Sequence, residues 1–128
     1  MSLPYSSHVE ELICIVDDDS SVRRALGRMV KSFGFEVCQF SSGRECLNAA
    51  LIDQAACLIV DISMPGLDGF ELHSLLLASD RNVPTIFISG DDDIAYPQKV
   101  SSIGGVAFIS KPCDAKELYG AIVTALAK

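Results

Sequence analysis

Short apolar runs alternate with helix-forming segments along this chain, and this alternation constrains the fold more than any other feature. The run at residues 13–16 leads into three aspartates, and the run at residues 57–60 leads into Asp61. Runs of this length and composition are typical of strands buried on both faces of a parallel sheet. Because the carboxyl ends of such strands meet at one edge of the sheet, the acidic side chains are expected to gather there.

Five strands and five helices are predicted in alternation. The strands are predicted at residues 13–16, 35–40, 57–61, 85–88 and 106–109, and the helices at 22–33, 44–51, 67–78, a weak segment from 97, and 115–126. Ser20 is expected to cap the first helix and Gly34 to end it. Pro97 has no backbone N–H, so the fourth helix is predicted to begin near it and to be short. Right-handed crossovers then give an α/β fold, a doubly wound five-stranded parallel sheet with five helices.

Composition and charge exclude several classes of protein. The 128 residues fit one domain, predicted at residues 12–128 after a disordered lead-in at residues 1–11. No apolar run approaches the roughly 18 to 20 residues that span a bilayer, and no signal peptide is evident, so a soluble cytoplasmic protein without a membrane partner is expected. The net charge of −7 and the scattered basic residues argue against direct nucleic acid binding.

The other candidate functional residues have simple structural explanations. The five cysteines lack CxxC spacing and are predicted to be reduced, buried thiols. His8 falls in the lead-in and His73 on a surface-helix pattern, so both are predicted to be exposed bystanders. The basic residues of the first helix are expected to lie in water: Arg23, Arg24, Arg28 and Lys31.

The acidic strand ends predict a metal site. Carboxylates gathered at one sheet edge repel one another by several kcal/mol unless a cation or protons neutralise them. Oxygen ligands favour a small hard cation, which predicts Mg²⁺, with Mn²⁺ as a possible substitute. Asp19 is interpreted as a turn former or helix cap rather than as a ligand.

Five short motifs in order resemble the receiver domain of two-component response regulators. They are Asp17-Asp18 after the first strand, Asp61 within residues 59–69, Ser89-Gly90, Gly104-Gly105 and Lys111-Pro112. The resemblance implies a flavodoxin-like sheet with strand order 2-1-3-4-5, the fold of the chemotaxis regulator. The motif spacing is most similar to receivers of the nitrogen-fixation regulator type, which often precede a helix-turn-helix DNA-binding domain.

The resemblance also implies a role for each site residue. Asp61 would be the phosphoacceptor, and Asp17, Asp18, Asp61 and the backbone carbonyl of Ser63 would hold Mg²⁺. Lys111 would be a catalytic cation, and the peptide bond between Lys111 and Pro112 would be cis. Ser89 would supply a catalytic and switch hydroxyl, and Phe108 would be the aromatic switch residue. Ser63 and Asp91 stand at positions that border the path of hydrolytic water in this family, so both are predicted to tune the phosphoryl lifetime.

The function implied is that of a phosphorylation switch. A histidine kinase or a histidine phosphotransfer protein would phosphorylate Asp61, and the domain would promote this transfer and a slow autodephosphorylation without being a conventional turnover enzyme. The output would reach a C-terminal DNA-binding effector domain or a separate target, with the protein a monomer or a phosphorylation-dependent dimer. Two alternatives stay open: an aspartyl-phosphate phosphatase, disfavoured because Ser63 stands where a second acid is needed, and a phosphorylation-independent receiver-like interaction module.

Overall fold

A five-stranded parallel sheet carries helices on both faces in the computed structural model, which describes residues 11–127. The strands are β1 (Leu12–Val16), β2 (Glu36–Phe40), β3 (Cys57–Asp61), β4 (Thr85–Ser89) and β5 (Ala107–Ser110). The helices are α1 (Ser20–Ser32), α2 (Gly43–Asn48), α3 (Gly69–Ala78), α4 (Ala95–Ser102) and α5 (Ala115–Leu126). The strand order β2-β1-β3-β4-β5 confirms the predicted doubly wound fold. His8 and residues 1–10 of the predicted lead-in lie outside the described residues.

The core consists of two apolar layers, one on each face of the sheet. Leu26 of α1 and Leu118 of α5 pack on one layer, while Leu72 of α3 and Val100 of α4 pack on the other. Strands β3 and β4 are buried along their whole length because helices cover both of their faces. This burial explains why these strands appear in the sequence as continuous apolar runs.

The ends of the first three helices differ from the prediction. Asp19 caps α1, which confirms its interpretation as a helix cap, and Ser20 is the first helical residue rather than the cap: the Oδ1 of Asp19 accepts hydrogen bonds from the backbone N–H groups of Ser21 and Val22 at 2.9 and 3.3 Å. Helix α2 ends at Asn48, and a short 3₁₀ segment at Ala50–Gln54 completes the connection to β3. Helix α3 begins at Gly69, two residues later than predicted, because Asp68 caps it in a capping box.

The fourth helix is short, as predicted, and it starts two residues before Pro97. Pro97 is its third residue, within the first turn, where a backbone N–H would have no acceptor inside the helix. The missing donor therefore leaves the helix intact. Asp93 supports the first turn, because its Oδ1 accepts a hydrogen bond from the N–H of Ala95 at 2.9 Å.

The prediction that His73 is exposed was wrong. Its side chain is only 7% exposed, and its ring lies edge-on to Phe87 at a centroid distance of 5.5 Å. Burial lowers the pKa of this histidine. The periodicity of α3 did not indicate this, because the contact that buries the ring comes from Phe87 of β4, which lies 14 positions away in sequence.

The cysteines are all free thiols, as predicted, although two of them are only half-buried. Cys14, Cys46 and Cys57 are fully buried, and Cys38 and Cys113 are partly exposed. Burial raises the pKa of Cys46 and Cys57 to about 12, which leaves both thiols protonated at neutral pH. No helix within residues 11–127 combines the length and apolar character that crossing a bilayer requires.

Candidate functional site

Three carboxylates meet at the carboxyl edge of the sheet. Asp17 and Asp18 follow the last residue of β1, and Asp61 ends the neighbouring strand β3. One carboxylate oxygen from each residue lies within 4.8 Å of the others. Asp17 is 0% and Asp61 5% exposed, whereas Asp18 is open to solvent. The structure thus brings together the acidic residues that the strand-end pattern singled out.

Lys111 supplies an ammonium group to two of these carboxylates. It follows β5, and its backbone N–H donates to the carbonyl of Ser89 at 2.8 Å; the Lys111–Pro112 peptide is cis. Its Nζ lies 3.0 Å from Oδ2 of Asp17 and 3.1 Å from Oδ2 of Asp61. Burial acts to lower the pKa of Lys111, but hydrogen bonding and charge from the two aspartates outweigh it and raise this pKa.

The pKa of Asp61 is raised above its ordinary value. Burial is the main cause that raises its pKa, and the charge of Asp17 adds to the rise. Lys111 and the backbone N–H of Ser63, which donates to Oδ1 of Asp61 at 3.2 Å, oppose the rise without cancelling it. The charged form of Asp61 is therefore less favourable here than in water.

The donor set fits a small divalent cation. Oδ2 of Asp17 is buried, and within residues 11–127 the Lys111 ammonium group, at 3.0 Å, is its only cationic partner. One ammonium group faces three carboxylates, so the cluster is short of positive charge. Buried carboxylate oxygens that share a single ammonium group, beside an exposed carboxylate, are suited to Mg²⁺ or Mn²⁺, which prefer oxygen ligands.

A glycine allows α3 to approach the acceptor strand closely. A Cβ atom on Gly69 would lie 2.6 Å from the carbonyl oxygen of Asp61 and 3.0 Å from Cα of Ile62, which is too close for any side chain. The N–H of Gly69 donates to the carbonyl of Ile62 at 2.9 Å. Sequence reasoning missed this residue, and the available signal was a glycine directly after the helix cap Asp68.

Ser63, Ser89 and Asp91 connect the loops that flank Asp61. Ser89 is buried at the end of β4, and its Oγ accepts a hydrogen bond from the N–H of Asp91 at 3.0 Å. The Ser63 hydroxyl donates to Oδ2 of Asp91 at 3.0 Å, which joins the β3–α3 loop to the β4–α4 loop. The sequence singled out all three residues, but no spacing signal indicated the bond between Ser63 and Asp91, which stand 28 positions apart.

Phe108 lies on β5 with its ring toward α4. Its ring centroid is 6.1 Å from that of Tyr96, and Tyr96 in turn lies 5.9 Å from Phe70 of α3. Phe108 is half-buried and pairs in register with Phe87. The structure thus connects Phe108, for which the resemblance implies the role of aromatic switch, to helix α4 through Tyr96.

Arg23 contributes to the site although the sequence placed it in water. Its side chain is half-buried, and Nη1 donates to the carbonyl oxygen of Asp17 at 2.8 Å. The signal that could have found it is helical geometry, since the first turn of α1 stands directly above the loop at residues 17–19.

Comparisons with known proteins show what the chain as a whole is similar to. A family model described as the response regulator receiver domain matches residues 13–123. Nodulation protein W of Bradyrhizobium diazoefficiens is 38% identical over 114 residues, covering 89% of this chain and 50% of that protein. Response regulator protein TodT of Pseudomonas putida is 39% identical over 124 residues, covering 97% of this chain and 55% of TodT. The solved structure of FixJ-N superposes with a TM-score of 0.81 at 31% identity, covering 91% of this chain and 94% of that structure. The chain spans about half the length of the curated relatives it matches.

Proposed function

This chain belongs to the receiver domain family of two-component response regulators, and from that premise we propose that Asp61 accepts a phosphoryl group from a histidine kinase or a histidine phosphotransfer protein. The observation that carries the proposal is the position of Asp61, whose buried carboxylate ends β3 within 3.1 Å of the Lys111 ammonium group. A carboxylate is already ionised at neutral pH, so it acts as a nucleophile without a general base.

Mg²⁺ is the cofactor that this site fits. Asp17, Asp18, Asp61 and the backbone carbonyl of Ser63 would hold it, and Mn²⁺ is a suitable substitute. When bound, the ion would offset the repulsion between the Asp61 carboxylate and the oxygens of the incoming phosphoryl group.

Lys111 and Ser89 supply the remaining stabilisation. Phosphorylation converts the Asp61 carboxylate into an acyl phosphate, so Lys111 loses its ion pair with Asp61 and can bind a phosphoryl oxygen instead. The Ser89 hydroxyl accepts from the N–H of Asp91, which leaves its own proton available to donate to a second phosphoryl oxygen. These charge-assisted bonds shift the population between two conformations of the domain.

The output passes through the face that carries Phe108. The contact of Phe108 with Tyr96 links β5 to α4, and it acts through packing because Phe108 has no hydroxyl group. The relatives are about twice as long as this chain, which supports a further domain in the whole protein. We expect it to be a C-terminal DNA-binding effector domain, with a separate target as the alternative. The domain itself acts in the cytoplasm, as a monomer or a phosphorylation-dependent dimer, and its net charge of −7 disfavours direct DNA binding.

Ser63 and Asp91 tune the lifetime of the acyl phosphate, which the domain removes from itself slowly. Their mutual hydrogen bond joins the two loops beside Asp61 and restricts the approach of water. We expect Ser63→Ala and Asp91→Ala to change the decay rate of the phosphorylated protein by about threefold or more, on the scale of one lost hydrogen bond. The measurement is the loss of the phosphoryl adduct with time by intact mass, with the exposed Asp92→Ala as the matched control. Unchanged decay in both variants would refute this role.

The acceptor chemistry is tested with acetyl phosphate. The protein is incubated with Mg²⁺ and acetyl phosphate, and intact mass is followed for the native chain, Asp61→Asn and the control Asp92→Asn. We expect one phosphoryl adduct on the native chain and on Asp92→Asn, none on Asp61→Asn, and none when EDTA removes Mg²⁺. Continuous release of inorganic phosphate at a high rate would instead indicate the phosphatase, and the absence of an adduct with any donor would indicate the interaction module.

A further inference from the structure

Arg23 makes a contact with the backbone of the metal-binding loop. Strand β1 ends at Val16, so the carbonyl of Asp17 has left the hydrogen-bond ladder of the sheet. Nη1 of Arg23 donates to this carbonyl at 2.8 Å. The N–H of Asp17 still donates to the carbonyl of Phe40 at 3.2 Å, and the N–H of Asp19 donates to Oδ1 of Asp17 at 2.9 Å. Both backbone groups of Asp17 and one oxygen of its carboxylate are therefore held.

These contacts form a chain from helix α1 to the carboxylates. The backbone N–H of Arg23 donates to the carbonyl of Asp19 at 2.9 Å, and Asp19 caps the same helix with its side chain. The first of these is the ordinary opening bond of the helix and does not depend on the side chain, whereas the contact of the guanidinium group with Asp17 is specific to Arg23. Asp18, the one exposed carboxylate of the cluster, lies between Asp17 and Asp19.

We propose that Arg23 is a positioning residue for the divalent cation, which fixes the loop at residues 17–19 so that Asp17 and Asp18 present their oxygens in one arrangement. The inference rests on the proposed function, because it assigns Arg23 to the same metal site. Residues that orient ligands from behind commonly change metal affinity by about 10- to 100-fold when they are replaced.

The identity of the cation makes this role measurable. Mg²⁺ requires a nearly ideal octahedral arrangement of oxygens, whereas Ca²⁺ accepts irregular and larger arrangements. A loop that has lost its contact with the guanidinium group would therefore lose affinity for Mg²⁺ more than for Ca²⁺. A general loss of stability would lower both affinities together, so the ratio of the two separates positioning from an indirect structural effect.

The test uses a pair of matched arginines. Arg24 is adjacent and exposed, and its side chain makes no hydrogen bond or ion pair in the part of the chain that the structure describes, so Arg24→Met repeats the charge change without the contact. Dissociation constants for Mg²⁺ and Ca²⁺ are measured by calorimetry on the unphosphorylated native protein, Arg23→Met, Arg23→Lys and Arg24→Met. Thermal unfolding without metal reports whether each variant is folded.

We expect Arg23→Met to weaken Mg²⁺ binding by about tenfold and Ca²⁺ binding by clearly less. Arg23→Lys restores part of the loss because an ammonium group can still donate to the Asp17 carbonyl. Arg24→Met stays within about twofold of the native protein, the scale of a screened surface charge. Equal Mg²⁺ affinity in Arg23→Met and the native protein, or an equal loss in both arginine variants, would overturn the inference alone. Failure of the native protein to bind Mg²⁺ would overturn the proposed function with it.

Discussion

The charge balance around Asp61 is a property of individual residues. Lys111 bridges Asp17 and Asp61, yet the pKa of Asp61 stays above its ordinary value because burial outweighs the ammonium charge. A raised carboxyl pKa means that the folded protein binds this proton more tightly than the unfolded chain does. The stability associated with Asp61 is thus present at low pH and is lost as the pH rises through the raised pKa. The acceptor therefore destabilises the unphosphorylated fold at neutral pH.

Replacing the acceptor is expected to stabilise the protein in a pH-dependent way. Asp61→Asn removes the buried charge and should raise the free energy of unfolding at pH 7, because burial disfavours the ionised form of this carboxyl group. The gain should vanish once the pH falls below the ordinary carboxyl pKa, where Asp61 is protonated in both the folded and the unfolded state. Urea unfolding at neutral and acidic pH measures this, with Asp92→Asn as the exposed control. A loss of stability at pH 7, or an equal gain at both pH values, would contradict the expectation.

At the scale of elements, the junction between β3 and α3 determines where the acceptor lies. Asp68 caps α3, and Gly69 brings the first turn of this helix against the backbone of Asp61 and Ile62. Any side chain at Gly69 must push the helix away from the strand end, because the closest atoms belong to the backbone and not to a flexible side chain.

Two glycine-to-alanine variants test this junction. Gly69→Ala should destabilise the protein by about 1–3 kcal/mol, as overpacking does, and should slow phosphorylation because Asp61 moves. Gly120→Ala in α5 is the control: a Cβ there meets no atom within 4 Å, so alanine should stabilise its helix by about 0.5–1 kcal/mol. Denaturant unfolding and the rate of adduct formation are the measurements. A neutral effect of Gly69→Ala on both would show that the close approach is unimportant.

At the scale of the whole molecule, the protein is negatively charged, and part of this negative charge is concentrated at the edge of the sheet that carries Asp17, Asp18 and Asp61. The chain carries a net charge of −7, and its buried carboxylates Asp17 and Asp61 lie where the sheet, helix α1 and the loops after β3 and β5 converge. A cation that binds only this folded arrangement stabilises the molecule by mass action.

Mg²⁺ is therefore expected to raise the melting temperature. A concentration a hundredfold above the dissociation constant should add about 2.7 kcal/mol to the free energy of unfolding. Sodium chloride at the same ionic strength should have a smaller effect, because it screens charge without binding the three carboxylates. Differential scanning calorimetry of the native protein and Asp18→Asn separates the two effects. An equal shift with both salts, or an Asp18→Asn response equal to that of the native protein, would count against a specific site.

The sequence alone was sufficient for the fold class and for the identity of the acidic cluster. Strand burial appears as continuous apolar runs and helix burial as a repeating stripe, and both are local patterns. Carboxyl ends of parallel strands share one edge, so the sequence alone places Asp17, Asp18 and Asp61 together, as the structure does. The strand order came from the resemblance to the receiver family, since alternation of elements requires parallel pairing but leaves the order of strands open.

The remaining features depend on contacts between elements that are distant in sequence. The burial of His73, the bond between Ser63 and Asp91 and the contact of Gly69 with Asp61 each arise where separate elements pack together. Arg23 and Asp17 are close in sequence, but the contact between them forms only because helix α1 packs on the sheet in one orientation. A sequence pattern reports how a residue faces its own helix or strand, whereas these contacts depend on the relative position of two elements, which only packing of the whole molecule decides.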